Sequence, residues 1–254
     1  MNILAINSSY REDKGHTRFL IDKLFEGATA AGAECQVVTL SQIKIKRCLA
    51  CGKCQTAEHH LKCVHDTRDD VDAVFRQMSR ADILVYATPV YVFGLSGLLK
   101  TFLERFYGRG NSRDLSISRS GLMFHHVDRS ICSKPFVTLV CCDNLEDETP
   151  RNVLAYFQTF SRFMDAPQVG VLVRNGGRLS GYGLDPERER RVPKIFDVYG
   201  GYEQAGRELA TLGQIRRSTE RRANQEIVPV PLFSILKRLN PFKRKMVERA
   251  QEML

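Results

Sequence analysis

The chain of 254 residues has no uninterrupted apolar run of transmembrane length, which excludes a helix crossing a bilayer. Met1 to Ile6 leads straight into a short apolar strand, without the basic stretch, long apolar core and small-residue cleavage site of a secretory leader. A cytoplasmic location is therefore expected, where eight cysteines serve more naturally as thiolates or metal ligands than as a disulfide framework. The chain also lacks the Gly-x-Gly-x-x-Gly of dinucleotide folds and the Gly-Lys-Ser/Thr of nucleotide hydrolases. It has no internal repeat, no low-complexity segment and no recognised nucleic-acid module or aromatic-basic platform, so nucleic acid is not an expected partner.

What is present is enough for one sizeable core, at 43% hydrophobic residues, with length left for insertions. The net charge of +9 is uneven: residues 201–254 hold 11 Lys and Arg against 6 Asp and Glu. Short apolar runs at 2–6, 35–40, 83–87, 136–142 and 169–173 read as strands, and helical spacing appears between them, as in Leu20, Leu24 and Ala28 or Val153, Phe157, Phe160 and Met164. Thr149-Pro150 reads as a helix entry, and a further helix is expected around 194–224. Five alternations imply an α/β fold, a doubly wound five-stranded parallel sheet of order 2-1-3-4-5 with a C-terminal helical extension. The expected division is 1–200 for the main domain, with a cysteine-rich loop at 44–66 and an insertion at 108–134, and 201–254 for a basic helical extension.

Ligands of such sheets sit beyond the carboxyl ends of the strands. The first loop there, Asn7 to Thr17, is rich in hydroxyls and opens a helix, so it suits an anion: Ser8, Ser9 and Thr17 offer hydroxyls and Arg11 a charge. Ordinary helix capping accounts for the same residues. After the strongest strand comes Thr88-Pro89-Val90-Tyr91-Val92-Phe93-Gly94-Leu95-Ser96. Here Tyr91 and Phe93 could shield a planar ring while backbone amides near Gly94 reach its polar edge; core or interface packing is the alternative.

Together these two loops, with the Leu99-Lys-Thr-Phe-Leu-Glu-Arg105 that follows the second, resemble the NADPH-dependent FMN reductase family of the flavodoxin-like superfamily over about residues 1–175. The resemblance implies that Ser8, Ser9, Arg11 and Thr17 hold the FMN phosphate, and that Pro89, Val90, Tyr91, Phe93 and Gly94 hold the isoalloxazine ring. It also implies a homodimer or homotetramer. The third loop departs from the family's glycine-rich pattern, since it reads Cys142-Asp143-Asn144 followed by three more acids within Leu145 to Glu148. Carboxylates beside a flavin disfavour its anionic reduced form, so contact is expected from the backbone of Cys142 to Asn144, with the acids turned to solvent.

Cys48, Cys51, Cys54 and Cys63 form a C-x2-C-x2-C-x8-C arrangement. Four thiolates suit a [4Fe-4S] centre, with Lys44, Lys46, Arg47 and Lys53 offsetting its charge; zinc is an alternative. The stretch resembles the compact motif of the iron-sulfur flavoproteins, with a longer last gap. A reduced thiol loop packed at a subunit interface or against the flavin is the competing reading. Cys35, Cys132, Cys141 and Cys142 read as strand or core residues.

His125 and His126 lie in the insertion, which could cover the flavin; adjacent residues on an extended chain point opposite ways, so the pair does not suit one shared ion. The apolar-basic tail from Pro229 is more suited to packing on its own domain or a partner than to a membrane surface. The expected function is an FMN oxidoreductase in which NAD(P)H delivers hydride to flavin N5, no side chain being assigned a catalytic role. Electrons then pass to a quinone, another small acceptor or the iron-sulfur cluster. The alternatives are an electron-transfer protein that relays single electrons to a partner such as a ferredoxin without using pyridine nucleotide, and a cluster-free thiol or zinc sensor on the same fold.

Overall fold

A computed structural model of the chain describes residues 1–177, 181 and 183–252. Residues 178–180 and 182, and the last two residues of the expected extension, lie outside the described residues.

Five parallel strands form the sheet: β1 (Asn2–Asn7), β2 (Glu34–Thr39), β3 (Ile83–Tyr91), and two named below in chain order as β7 and β8. A short strand β4 (Gly94–Leu95) turns back on β3, and β5 (Gly110–Ile117) pairs with β6 (Met123–Val127) as a separate two-stranded ribbon. β7 (Phe136–Cys141) and β8 (Gln168–Arg174) complete the sheet, in the order β2-β1-β3-β7-β8. Counting only the parallel strands, this is the expected 2-1-3-4-5. Ile3 pairs with Ile83 and Val85 with Val137, so the apolar runs lie side by side. Both faces of those runs need cover, as expected of a parallel sheet.

Alternation along the strands divides the core in two. On one face Ile3, Ala5, Val85 and Leu139 meet α1 (His16–Ala30). Leu4, Ile6, Leu84, Tyr86 and Val140 meet α2 (Val71–Arg80), α3 (Gly97–Glu104) and the helix after β7 on the other. α4 (Arg129–Cys132) is one turn before β7, and α5 (Arg151–Met164) joins β7 to β8. Pro150 rather than Thr149 occupies the cap of α5 and no side chain caps it, so the expected threonine cap is not made. α6 (Pro186–Arg191) is capped by Asp185, whose carboxylate accepts from the amides of Glu187 and Arg188.

The helix expected at 194–224 is two helices, α7 (Lys194–Leu212) and α8 (Arg217–Ala223). Gly213, with φ of +71°, supplies the left-handed stop between them. α7 packs on α1 so closely that a Cβ on Gly27 would stand 1.7 Å from the Glu203 carbonyl oxygen, and one on Gly206 would stand 1.8 Å from that of Leu24. Ile195, Val198, Tyr202, Ala205 and Leu209 share the core of α1. The boundary expected at 200–201 therefore falls inside a continuous helix whose two halves are buried in one core. Beyond it come α9 (Phe233–Leu236) and α10 (Asn240–Glu252). Among the described residues no helix is long and apolar enough to cross a membrane.

Candidate functional site at the carboxyl edge of the sheet

The turn after β1 is built from buried polar residues. Asn7, Ser8, Ser9 and Thr17 are all buried. Asn7 Oδ1 accepts from the Ser9 amide while its Nδ2 donates to Thr39 Oγ1 at 3.4 Å. Ser8 donates through its hydroxyl and its amide to the Ala87 carbonyl, at 2.9 and 3.0 Å. The Ser8 hydroxyl proton is thus committed to β3, and this residue acts by joining the strands. Ser9 Oγ accepts from the Arg11 amide and keeps its proton. Gly15 is the cap of α1 with no side chain bonded there, and a Cβ on it would come 2.8 Å from Ser9 Oγ. A helix start with no side-chain cap, two buried hydroxyl residues, Ser9 and Thr17, and the exposed Arg11 nearby in the chain make a donor set that suits a phosphate.

Thr88 holds the second turn in place. Its Oγ1 donates to the Pro89 carbonyl and accepts from the Ser96 amide, and Ser96 Oγ accepts from Leu99 to cap α3. Val90 pairs with Leu95 and Tyr91 with Gly94, which leaves Val92 and Phe93 as a two-residue turn. Both have positive φ, 48° and 62°, in the manner of a type I′ turn whose usual residues are Asn and Gly. A β-branched residue there is strained, at about 1–3 kcal/mol. Val92 is 93% and Phe93 63% exposed. The turn lies where the sequence implies, but its left-handed backbone at Val92 and Phe93 has no signal in the sequence, since neither residue type favours positive φ.

The three turns meet. Tyr10 lies against Tyr91 with ring centroids 6.1 Å apart, Asn152 donates to the Phe93 carbonyl at 3.1 Å, and His16 Nδ1 is 3.9 Å from Asp143 in the third turn. Burial holds the His16 pKa down despite Asp143. In the third turn the Cys142 amide donates to Arg174 and its carbonyl accepts from Gly177. Its thiol, pushed up to about 12 by burial and the Asp143 charge, donates to Asn175 Oδ1 at 2.9 Å. Cys142 thus has no backbone group to offer, and the expectation of backbone contact narrows to Asp143 and Asn144, both exposed.

Cys48, Cys51, Cys54 and Cys63 line one small cavity with His65, Arg105, Tyr107 and Gly108. Burial raises the Cys54 thiol pKa. Arg105, 1% exposed, bonds Asp69, Asp66 and the Lys46 carbonyl, and Asp66 Oδ2 accepts from the Cys63 amide. One buried cation thus ties both ends of the cysteine loop to the end of α3. The donor set suits a cluster in kind and number, but among the described residues no three such side chains are grouped to hold a metal ion. The cavity sits at the far end of α3 from Tyr91, a helix about 12 Å long. β5 and β6 stand on that side too: Gln55 bonds the Gly110 carbonyl and the Ser112 amide, and Phe124 packs on Phe163. The insertion therefore covers the cysteine loop and the end of α5, not the turns at the carboxyl edge. Within it Gly110 leaves room for the His125 ring, which a Cβ would meet at 2.4 Å.

Residues 1–118 match the family described as NADPH-dependent FMN reductase. An iron-sulfur flavoprotein of Archaeoglobus fulgidus is 32% identical over 105 residues, covering 41% of this chain and 48% of the relative. Another, of Methanosarcina thermophila, is 31% identical over 105 residues, covering 41% and 52%. The chain spans about half the length of the curated relatives it matches. Among solved structures, an FMN-dependent NADH-azoreductase from Bacillus anthracis in complex with FMN superposes with a TM-score of 0.56 at 13% identity, covering 83% of this chain and all of that one. The azoreductase AzrA gives 0.57 at 12%, covering 83% and 99%. These share the flavodoxin-like fold.

Proposed function

We propose that this protein is an FMN-dependent oxidoreductase that takes electrons from NAD(P)H and passes them to a small acceptor. The observation that carries the reading is the convergence of the hydroxyl-rich turn, the Pro89–Gly94 turn and the 142–144 turn at one edge of the sheet. Bound FMN supplies hydride and electron chemistry, and the protein supplies position and electrostatics. Ser9, Thr17 and the start of α1 hold the phosphate, with Arg11 adding charge, and Ser8 fixes their turn to β3. Pro89, Val90 and Gly94 present backbone to the ring, Tyr91 and Phe93 keep water from it, and the amides of Asp143 and Asn144 close the far side. Steady-state oxidation of NADH and NADPH by the FMN-loaded protein, with and without an artificial acceptor, tests the reading. Oxidation that depends on the acceptor supports it; loaded protein inert to both nucleotides favours a relay protein.

The four cysteines on one cavity favour an iron-sulfur centre on Cys48, Cys51, Cys54 and Cys63, for which the thiols must close together. Arg105 at the cavity wall supplies positive charge beside it. Iron and acid-labile sulfide assayed on protein purified without oxygen check this, and flavin absorption alone would leave the cysteines as a thiol loop. The exposed Leu115, Ile117 and Met123 of the β5–β6 ribbon support assembly as a homo-oligomer.

A further inference from the structure

The third turn carries four carboxylates within six residues, Asp143, Glu146, Asp147 and Glu148, at the edge where the FMN reading puts a phosphate and a ring that gains negative charge. Three of them meet a cation, and the fourth, Asp143, faces an imidazole. Glu148 pairs with Arg151 at the start of α5 at 2.6 Å, and Asp143 faces His16 at 3.9 Å. The other two are met from the end of the chain, about ninety residues away. Lys237 Nζ donates to Asp147 at 2.7 Å, to the Leu145 carbonyl at 3.3 Å and to Glu226 at 3.1 Å, and Lys243 lies 2.6 Å from Glu146.

Lys237 is not an ordinary surface lysine, since its side chain is 8% exposed. Its ammonium lies 5.9 Å from the centre of the Phe233 ring, and Phe233 contacts Phe242 at 6.1 Å, which fixes α9 against α10 and so sets Lys243 beside Glu146. Glu226 is held in turn, as its Oε1 accepts from the amides of Ile227 and Val228. A buried ammonium that keeps three acceptors is costly to place. With two carboxylates against one ammonium, the triad carries one net negative charge; without Lys237 it carries two.

We propose that residues 226–243 form a basic clamp that neutralises the acidic turn and so permits it to border a negatively charged cofactor. The clamp rests on the FMN reading and assigns the C-terminal segment to it: Lys237 and Lys243 are positioning residues that set the field at the third turn without touching the cofactor.

Removing one charge separates this role from packing. Lys237→Met in the full chain is expected to weaken FMN binding about 3–10-fold at low salt. It should also lower the two-electron midpoint potential, by about 30 mV if the reduced form is weakened tenfold more than the oxidised. Adding Glu226→Gln to Lys237→Met restores the original net charge and should recover most of both losses, while Lys237→Arg should behave as the parent. Lys243→Gln, at a side chain 37% exposed, should show a smaller loss of affinity in the same direction that fades with added salt. If the parent protein binds no FMN, the underlying functional reading falls. If the parent binds FMN and both single variants match it in affinity and potential, or if the Glu226→Gln addition recovers nothing, the clamp is overturned alone.

Discussion

Tyr10 and Tyr91 face each other with ring centroids 6.1 Å apart, one from the turn after β1 and the other from the end of β3. Parallel pairing of β1 with β3 places both turns at the same edge, and the two hydrogen bonds that Ser8 donates to the Ala87 carbonyl hold them in register. The hydroxyls and the aromatic tip therefore border one space.

The tip itself is strained. Replacing Val92-Phe93 by Asn-Gly supplies the residues a type I′ turn favours and should stabilise the apo-protein by about 1 kcal/mol in urea unfolding. FMN affinity should fall in the same variant, because it loses Phe93, which the proposed function sets against the ring. A variant that is less stable than the parent would show that Val92 and Phe93 are not under strain.

Gly27 and Gly206 are required by helix contact and not by turn geometry. Alanine at either position must push α1 from α7, since each new methyl would overlap backbone carbonyl oxygen. A loss of about 2–3 kcal/mol is expected, read as a lower denaturation midpoint. A neutral Gly206→Ala would mean the helices lie further apart than described.

Arg105 carries the cysteine loop. In Arg105→Met, Asp69 keeps a fully buried carboxylate without its cation, a change that costs about 3–5 kcal/mol when a buried pair is broken. Because the loop is attached through Asp66 and Asp69, local opening should come first. Titration with a thiol reagent should find Cys54 and Cys63 reacting faster, while buried Cys132 and Cys141 stay slow. Uniformly faster reaction of all eight would indicate global unfolding instead.

Burial lowers the pKa of His16 and of His125 below the ordinary 6.5. As pH falls below about 6.5 the unfolded chain takes up these protons before the folded one, so stability decreases there and is unaffected by these groups above it. The melting temperature should drop between pH 7 and pH 5.5, and His16→Gln with His125→Gln should flatten that limb. An equal drop in the double variant would assign it to other groups.

The parallel sheet was legible because β1, β3 and β7 are continuous apolar runs, and the two turns because hydroxyls, Pro89 and Gly94 punctuate them. The β5–β6 ribbon was not, since Ser112 to Ile117 mixes charge with apolar residues and contains a register shift that breaks strict alternation. Nor did composition show that α7 belongs to the main core: its basic surroundings suggested an appendage, while the decisive residues are Gly27 and Gly206, whose role is visible only when both helices are in place. In the site, the engaged amide and thiol of Cys142 were hidden because their partners, Arg174 and Asn175, come from the next strand and its end. The Lys237 contacts were hidden by their separation along the chain.

Fluorescence titration of FMN into the apo-protein, in parallel with Thr17→Val and Ser9→Ala, tests the convergence most directly. Saturable binding of one FMN per chain is expected, weakened at least tenfold by either substitution, with riboflavin, which has no phosphate, binding no better than FMN does to the variants. Absence of FMN binding by the parent, or parent-like binding by both variants, would contradict a phosphate seat at the start of α1.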